Sequence, residues 1–123
     1  IFVNGHGGNS QAIQAAKKIL DHDQQNVLFW SPSGVSDTDT HAGHAETSVM
    51  LALSPFDVDM TLAESGNTQP LSQIIDALRI GGIRAVSQNG VLGDPTRATA
   101  SDGFSLLDKW THDLLADFDH WNS

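Results

Sequence analysis

A short apolar run passes directly into a glycine-rich turn at the start of the chain. Residues 1–3 (IFV) are β-branched and aromatic, as expected for a buried strand, and Asn4 to Asn9 (NGHGGN) follow them. Ser10 can then cap a helix to about His22, in which apolar residues recur three and four positions apart. A strand that leads through a tight turn into a helix is typical of α/β domains, whose ligands bind at the carboxyl ends of the strands.

The rest of the chain continues to alternate between strand and helix patterns. Residues 26–30 (NVLFW) predict a second strand, and residues 33–40 predict a polar loop. Further along, the patterns predict helices over about 45–53, 71–79 and 101–121 and a strand over 83–86. This alternation predicts an α/β fold with a mostly parallel sheet covered by helices.

Charge and hydropathy exclude two classes of partner. The formal net charge is −9 and Lys plus Arg total only 6, without a cluster, so we expect no nucleic-acid partner. The longest apolar run, residues 49–53, is too short to cross a bilayer, so we expect no membrane span. The chain lacks cysteine and a secretion-signal pattern, which makes the cytoplasm the expected location.

The first candidate site is the turn that contains His6. Its three glycines let the backbone approach a ligand closely and leave the imidazole uncrowded, as a metal ligand requires. A phosphate cradle at the helix N-terminus is an alternative, although neither glycine-rich phosphate-loop pattern is present. A tight turn in which His6 only forms hydrogen bonds fits the spacing equally well.

The second candidate site is the motif His41 to Ser48 (HAGHAETS), which enters a helix after the polar loop. Glutamate oxygen and histidine nitrogen suit zinc, manganese or ferrous iron, and a further histidine can move protons near neutral pH. In the alternative interpretation, Glu46 only stabilises the helix N-terminus, and Thr47 and Ser48 are ordinary polar residues of a helix start.

The remaining histidines and tryptophans are expected to be structural. We predict surface positions for His22, His112 and His120. Trp110 and Trp121 fall on the apolar stripe of the last helix, which predicts core positions. Trp30 ends a strand, where it either floors a pocket or packs.

Taken together, NGHGGN and HAGHAETS resemble the creatininase family of metal-dependent amidohydrolases, and GVLGDPT at residues 90–96 extends the similarity. The resemblance implies a creatininase-like three-layer α/β/α sandwich, of which residues 1–123 form the C-terminal half. It also implies two divalent metal ions (zinc, iron(II) or manganese), with His6 and Glu46 as ligands and with His41 and Glu46 as catalytic residues. The residues expected to contact substrate are Gly8, Asn9, Trp30 and His44.

Two departures from the family pattern refine these expectations. Creatinine-hydrolysing members carry a glutamate ligand two residues after the first histidine, where this chain has Gly8. This difference argues against creatinine as the substrate. What the resemblance implies as substrate is an amide bond near the C-terminus of a small ribosomally made precursor peptide. The family's N-terminal motif E-x-H-G-P-H-L-P-x-x-T-D, which supplies further metal ligands, has no counterpart here. We therefore expect residues before Ile1 or a separate N-terminal half as partner. The resemblance also implies a homo-oligomer.

Three other functions stay open from the sequence. One is hydrolysis of another small amide, such as creatinine or a formamide. The second is a non-catalytic module that binds an anion at the glycine-rich turn, and the third is a structural subunit whose histidines face solvent.

Overall fold

The computed structural model describes all 123 residues, which form two compact units. Unit 1 comprises Ile1–Ser33 and Trp110–Ser123, and unit 2 comprises Gly34–Lys109. None of the helices combines the length and apolar character needed to cross a membrane.

Unit 1 begins with a β-α-β arrangement. Strand β1 (Phe2–Val3) leads through the glycine-rich turn into helix α1 (Ser10–His22), and strand β2 (Phe29–Trp30) then pairs with β1 in parallel. In this register Phe2 lies opposite Phe29, and their rings stack with centroids 5.1 Å apart. The parallel pairing confirms the predicted α/β class.

Both strands differ from the sequence prediction in length or burial. The second strand was predicted over 26–30, and only Phe29–Trp30 pairs. The predicted burial of residues 1–3 is wrong for this chain, since 52–60% of each residue's surface is exposed. The physical reason is that β1 has one neighbouring strand, β2, so its other edge and much of its apolar surface stay uncovered.

Unit 2 packs helix α2 (His44–Leu53) against the start of helix α4 (Ala100–Trp121). Its buried residues are Gly43, Ala45, Ser48, Ile74, Ser87, Leu92, Gly93, Pro95, Ala98 and Gly103. The Ser48 hydroxyl is completely buried and accepts a hydrogen bond from the Thr99 N–H at 3.1 Å. The Thr99 hydroxyl in turn accepts one from the Asp102 N–H at 3.0 Å, which caps α4.

Helix α3 (Leu71–Gly81) ends where a strand was predicted, and that strand is absent. Residues Ile83–Ala85 form a 3₁₀ turn instead, after Gly82 with a φ of 71°. The turn is closed locally, because the Val86 N–H bonds to the Ile83 carbonyl at 3.1 Å. The apolar residues of 83–86 therefore satisfy their backbone without a neighbouring strand.

Helix α4 spans both units, and its apolar stripe is only partly covered. Trp110 and Trp121 are half-buried rather than core residues, and Phe104 is 59% exposed. Trp110 is not fully buried partly because of a polar contact: its indole N–H donates to the Ser33 carbonyl at 2.9 Å. The predicted surface positions of the other histidines are confirmed: His22, His112 and His120 are exposed.

A glycine sets how closely α2 and α4 approach. A Cβ atom at Gly103 would collide with the Ser48 carbonyl oxygen and lie 2.9 Å from the Ala52 methyl. We predict that Gly103→Ala lowers the free energy of unfolding by about 1–3 kcal/mol, the usual cost of overpacking. Urea unfolding measures this. Gly7→Ala is the control, since no atom lies within 4 Å of its added Cβ, and an equal loss in both variants would contradict the prediction.

Candidate active site

The motif HAGHAETS begins with a backbone bridge that fixes His41. The His41 N–H donates to the Leu92 carbonyl at 3.1 Å, and the Leu92 N–H returns a bond to the His41 carbonyl at 2.8 Å. Leu92 is 3% exposed, so the bridge anchors the histidine backbone to the core of unit 2. The His41 side chain remains about half exposed, at 49%.

Glu46 lies in the first turn of α2 and faces His41. Its Oε2 accepts a hydrogen bond from the Ala42 N–H at 2.6 Å and lies 3.7 Å from the His41 Nδ1. The carboxylate also lies at the positive end of the helix dipole, which stabilises its charge. The structure thus brings together the two residues predicted to be catalytic. The geometry of Glu46 fits both of its interpretations, as a site residue and as a residue that stabilises the helix N-terminus.

A third residue, Asp39, supports the same turn and was not among the predicted site residues. Its Oδ2 accepts a hydrogen bond from the Ala45 N–H at 2.9 Å, which caps α2 from outside the helix. The sequence holds one signal for it, an aspartate a few residues before a helix start. Helix caps are expected at the residue next to the helix, so a cap six positions away was not anticipated.

His44, predicted to contact substrate, pairs with a carboxylate of α4. Its Nε2 lies 3.2 Å from the Asp102 Oδ2, and both side chains are partly exposed. Nearby, the Thr96 hydroxyl and N–H donate to Asp94 and hold the pKa of that carboxyl below its ordinary value; Arg97 and His44 add smaller favourable charge effects. His44 therefore lies among charged residues rather than in an apolar pocket.

The glycine-rich turn belongs to unit 1 and is closed by its own side chains. The Asn4 Oδ1 accepts bonds from the His6 N–H at 3.3 Å and from the Asn9 side-chain amide at 3.0 Å. The imidazole of His6 lies over Gly8, where a Cβ would be 2.7 Å from the Nε2. His6, Gly8 and Asn9 are thus neighbours, as the sequence suggests, and all three are exposed.

Trp30, the fourth predicted substrate contact, both packs and lines a cavity. It is 8% exposed, and it borders an open cavity of about 490 Å³ within unit 1. The other residues that line this cavity are Phe29, Ser31, Ser33, Asp113, Ala116 and Asp117. A substrate role for Trp30 stays a prediction.

The donor groups fit a divalent metal in type, and their number in this chain is too small. Imidazole nitrogen and carboxylate oxygen suit zinc, manganese and iron(II). Nowhere along residues 1–123 do three or more such side chains cluster around one point; His41–Glu46 and His44–Asp102 are pairs. A catalytic ion takes at least three protein ligands, so an ion at Glu46 needs further donors.

Comparison with known proteins identifies the family. A family model named creatininase, with the description creatinine amidohydrolase, matches residues 1–118. The chain belongs to the creatininase family. The matched region contains both motifs described above, NGHGGN and HAGHAETS. The resemblance seen in the sequence is thereby confirmed.

Curated relatives of this creatininase-family chain are named mycofactocin precursor peptide peptidase. The protein of Mycolicibacterium smegmatis is 50% identical over 103 residues, which cover 84% of this chain and 41% of the relative. The protein of Mycobacterium ulcerans is 42% identical over 121 residues, which cover 98% of this chain and 48% of the relative. The chain thus spans just under half the length of the relatives it matches.

A solved structure confirms the creatininase-like fold. The crystal structure of a Bacteroides fragilis protein described as a creatinine amidohydrolase matches 97% of this chain and 52% of its own, with a TM-score of 0.66. The sequences are 22% identical, so this likeness bears on the fold alone.

The backbone between His41 and Gly43 provides a test of local strain. Ala42 has a φ of 51°, a left-handed conformation that costs a residue with a Cβ about 1–2 kcal/mol. We predict that Ala42→Gly raises the free energy of unfolding by about 0.5–1 kcal/mol, since the relieved strain exceeds the added entropy of the unfolded glycine. Urea unfolding is the measurement. Ala45→Gly, inside α2, is the control and should lose about 1 kcal/mol; a loss in both would show that Ala42 bears no strain.

Proposed function

We propose that this chain carries part of the active site of an amide hydrolase that cuts an amide bond near the C-terminus of a modified mycofactocin precursor peptide. One observation carries the proposal: His41 and Glu46 face each other at the start of α2, on a backbone fixed to the core. Membership of the creatininase family and the names of the curated relatives support the reaction class.

His41 is the proton carrier in this proposal. Its Nδ1 lies 3.7 Å from the Glu46 Oε2, which is within ion-pair distance and beyond hydrogen-bond distance. The opposite nitrogen, Nε2, then points away from Glu46 and can hold the proton that the leaving amine takes. Positioned general acids of this kind contribute about 10²–10⁴-fold to the rate. The half-exposed ring leaves room for a peptide to approach.

Glu46 has a second task as a metal ligand. Its Oε2 is occupied by the Ala42 N–H, so its Oε1 is the oxygen available to an ion. By the family resemblance, His6 would be the other ligand from this chain. Two ions of zinc, iron(II) or manganese would need further donors from an N-terminal half. A divalent ion, when bound, polarises the amide carbonyl and makes water a stronger nucleophile at neutral pH.

Substrate contacts are assigned to four residues. Gly8 has no side chain where creatinine-hydrolysing members carry a glutamate, and the His6 imidazole lies where its Cβ would be. This difference favours a peptide over creatinine. Asn9 and His44 offer polar groups, and Trp30 offers an aromatic wall. We place the enzyme in the cytoplasm, as a homo-oligomer that binds neither membrane nor nucleic acid.

Hydrolysis of another small amide is the second candidate, and the description of the matching family as creatinine amidohydrolase favours it. The anion-binding module receives less support. The N–H groups of a phosphate cradle must be free, and here the His6 N–H bonds to Asn4 and the Asn9 N–H bonds to the His6 carbonyl.

The test uses the protein that holds this chain together with the family's N-terminal half. We predict that His41→Ala lowers kcat on the precursor peptide by about 10²–10⁴-fold and leaves bound metal unchanged, because the ring moves a proton. Glu46→Ala is expected to lower both kcat and bound metal. Mass spectrometry of the cleaved peptide and of metal content provides the two readouts.

His120→Ala is the matched control, since His120 is an exposed histidine near the end of α4 and is expected to keep full activity. Full hydrolysis by His41→Ala would contradict the proton-transfer role. Absence of bound metal in active wild-type protein would contradict the metal role of Glu46.

A further inference from the structure

Asp39 places a carboxylate beneath the turn that carries His41 and Glu46. Its Oδ2 bonds to the Ala45 N–H, whereas its Oδ1 is buried and has no hydrogen-bond partner. Burial of an unpaired carboxylate oxygen costs free energy, so other contacts must keep the Asp39 side chain in this position. The residues packed around the Oδ1 therefore indicate the structural role of Asp39.

Two glycines enclose the Oδ1 atom. A Cβ at Gly43 would collide with it, and a Cβ at Gly93 would lie 2.5 Å from it and 2.9 Å from the Gly43 Cα. Gly93 also has a φ of 147°, which favours glycine. The loop before α2, the N-cap of α2 and the segment after Leu92 thus meet at this one oxygen atom, and the absence of a Cβ at both glycines gives it space.

A short series of contacts connects Asp39 to the candidate catalytic pair. Asp39 accepts a hydrogen bond from the Ala45 N–H, and Ala45 precedes Glu46 in the first turn of α2. Glu46 holds the N–H of Ala42 through the same Oε2 that faces His41. A change in the position of the first turn must therefore change the distance between the Glu46 carboxylate and the His41 ring.

We propose that Asp39 is a positioning residue, which fixes the first turn of α2 so that Glu46 keeps its contacts with Ala42 and His41. Its relevance to catalysis rests on the function proposed above. The geometric part stands on this structure alone. An ordinary helix cap would stabilise α2 without affecting the contacts of Glu46. Loss of a positioning residue, in contrast, should also weaken the hydrogen bond from the Ala42 N–H to Glu46.

Amide hydrogen exchange, measured by NMR, separates a positioning role from a simple cap. In Asp39→Ala we expect exchange of the Ala45 amide, contacted directly, and of the Ala42 amide, contacted through Glu46, to rise at least about tenfold. Asp39→Asn retains an acceptor oxygen and should keep most of the protection at both. Glu46→Ala is the matched control and should release Ala42 alone. Faster exchange at Ala45 with unchanged protection at Ala42 in Asp39→Ala would overturn the proposal.

Gly43→Ala tests the same contact without removal of the carboxylate. The added Cβ displaces Asp39, so we expect the exchange pattern of Asp39→Ala. In the Asp39→Ala background the obstacle is gone, so Gly43→Ala should add much less than it does alone. Fully additive effects of the two substitutions would show that the glycine does not act through Asp39, which contradicts the proposal.

Kinetic measurements on the precursor peptide test this proposal separately from the proposed function. If wild-type protein hydrolyses the precursor peptide, Asp39→Ala should lower kcat by about 10–100-fold with KM nearly unchanged, and Asp39→Asn should recover most of that loss. Unchanged kcat in Asp39→Ala would overturn the positioning role. If wild-type protein is inactive while Ala42 still loses protection in Asp39→Ala, the positioning geometry stands and the proposed function fails.

Discussion

The first turn of α2 carries N–H groups that no helical carbonyl can reach, so they need acceptors from outside the helix. Asp39 takes the Ala45 N–H and Glu46 takes the Ala42 N–H just before the helix. Regular helical bonding then starts as the Thr47 N–H reaches the Gly43 carbonyl at 3.1 Å. The helix start therefore keeps the Asp39 carboxylate under the turn, and the Ala42 N–H keeps the Glu46 carboxylate beside His41.

The motif HAGHAETS contributes residues both to the candidate site and to the core, because successive helical residues point about 100° apart. Glu46 faces outward, half exposed, towards His41. Ser48, two residues later, is completely buried and holds the Thr99 N–H at the start of α4. A residue that the sequence suggested was an ordinary polar one at a helix start thus joins α2 to α4, with Gly103 providing the close approach.

Local patterns predicted the helices well and the long-range contacts poorly. Helix α1 (Ser10–His22) and helix α4 (Ala100–Trp121) lie within a residue of their predicted bounds, since caps and apolar spacing are local signals. The strand predicted over 83–86 is wrong, because apolar residues become a strand only where a neighbour offers hydrogen bonds. Asp39 was missed because its environment includes Gly93, which no spacing near residue 39 reveals.

The distribution of donor groups bears on how a metal centre can form in this family. His6 lies in unit 1 and Glu46 in unit 2, and no three donors cluster within the chain. Glu46 is held in place, because the Ala42 N–H donates to one of its oxygens at 2.6 Å. A ligand fixed beforehand loses little conformational entropy when it binds, whereas donors brought from elsewhere must be ordered on assembly. If Glu46 binds an ion as proposed, metal affinity should therefore depend on how the other donors are brought to it.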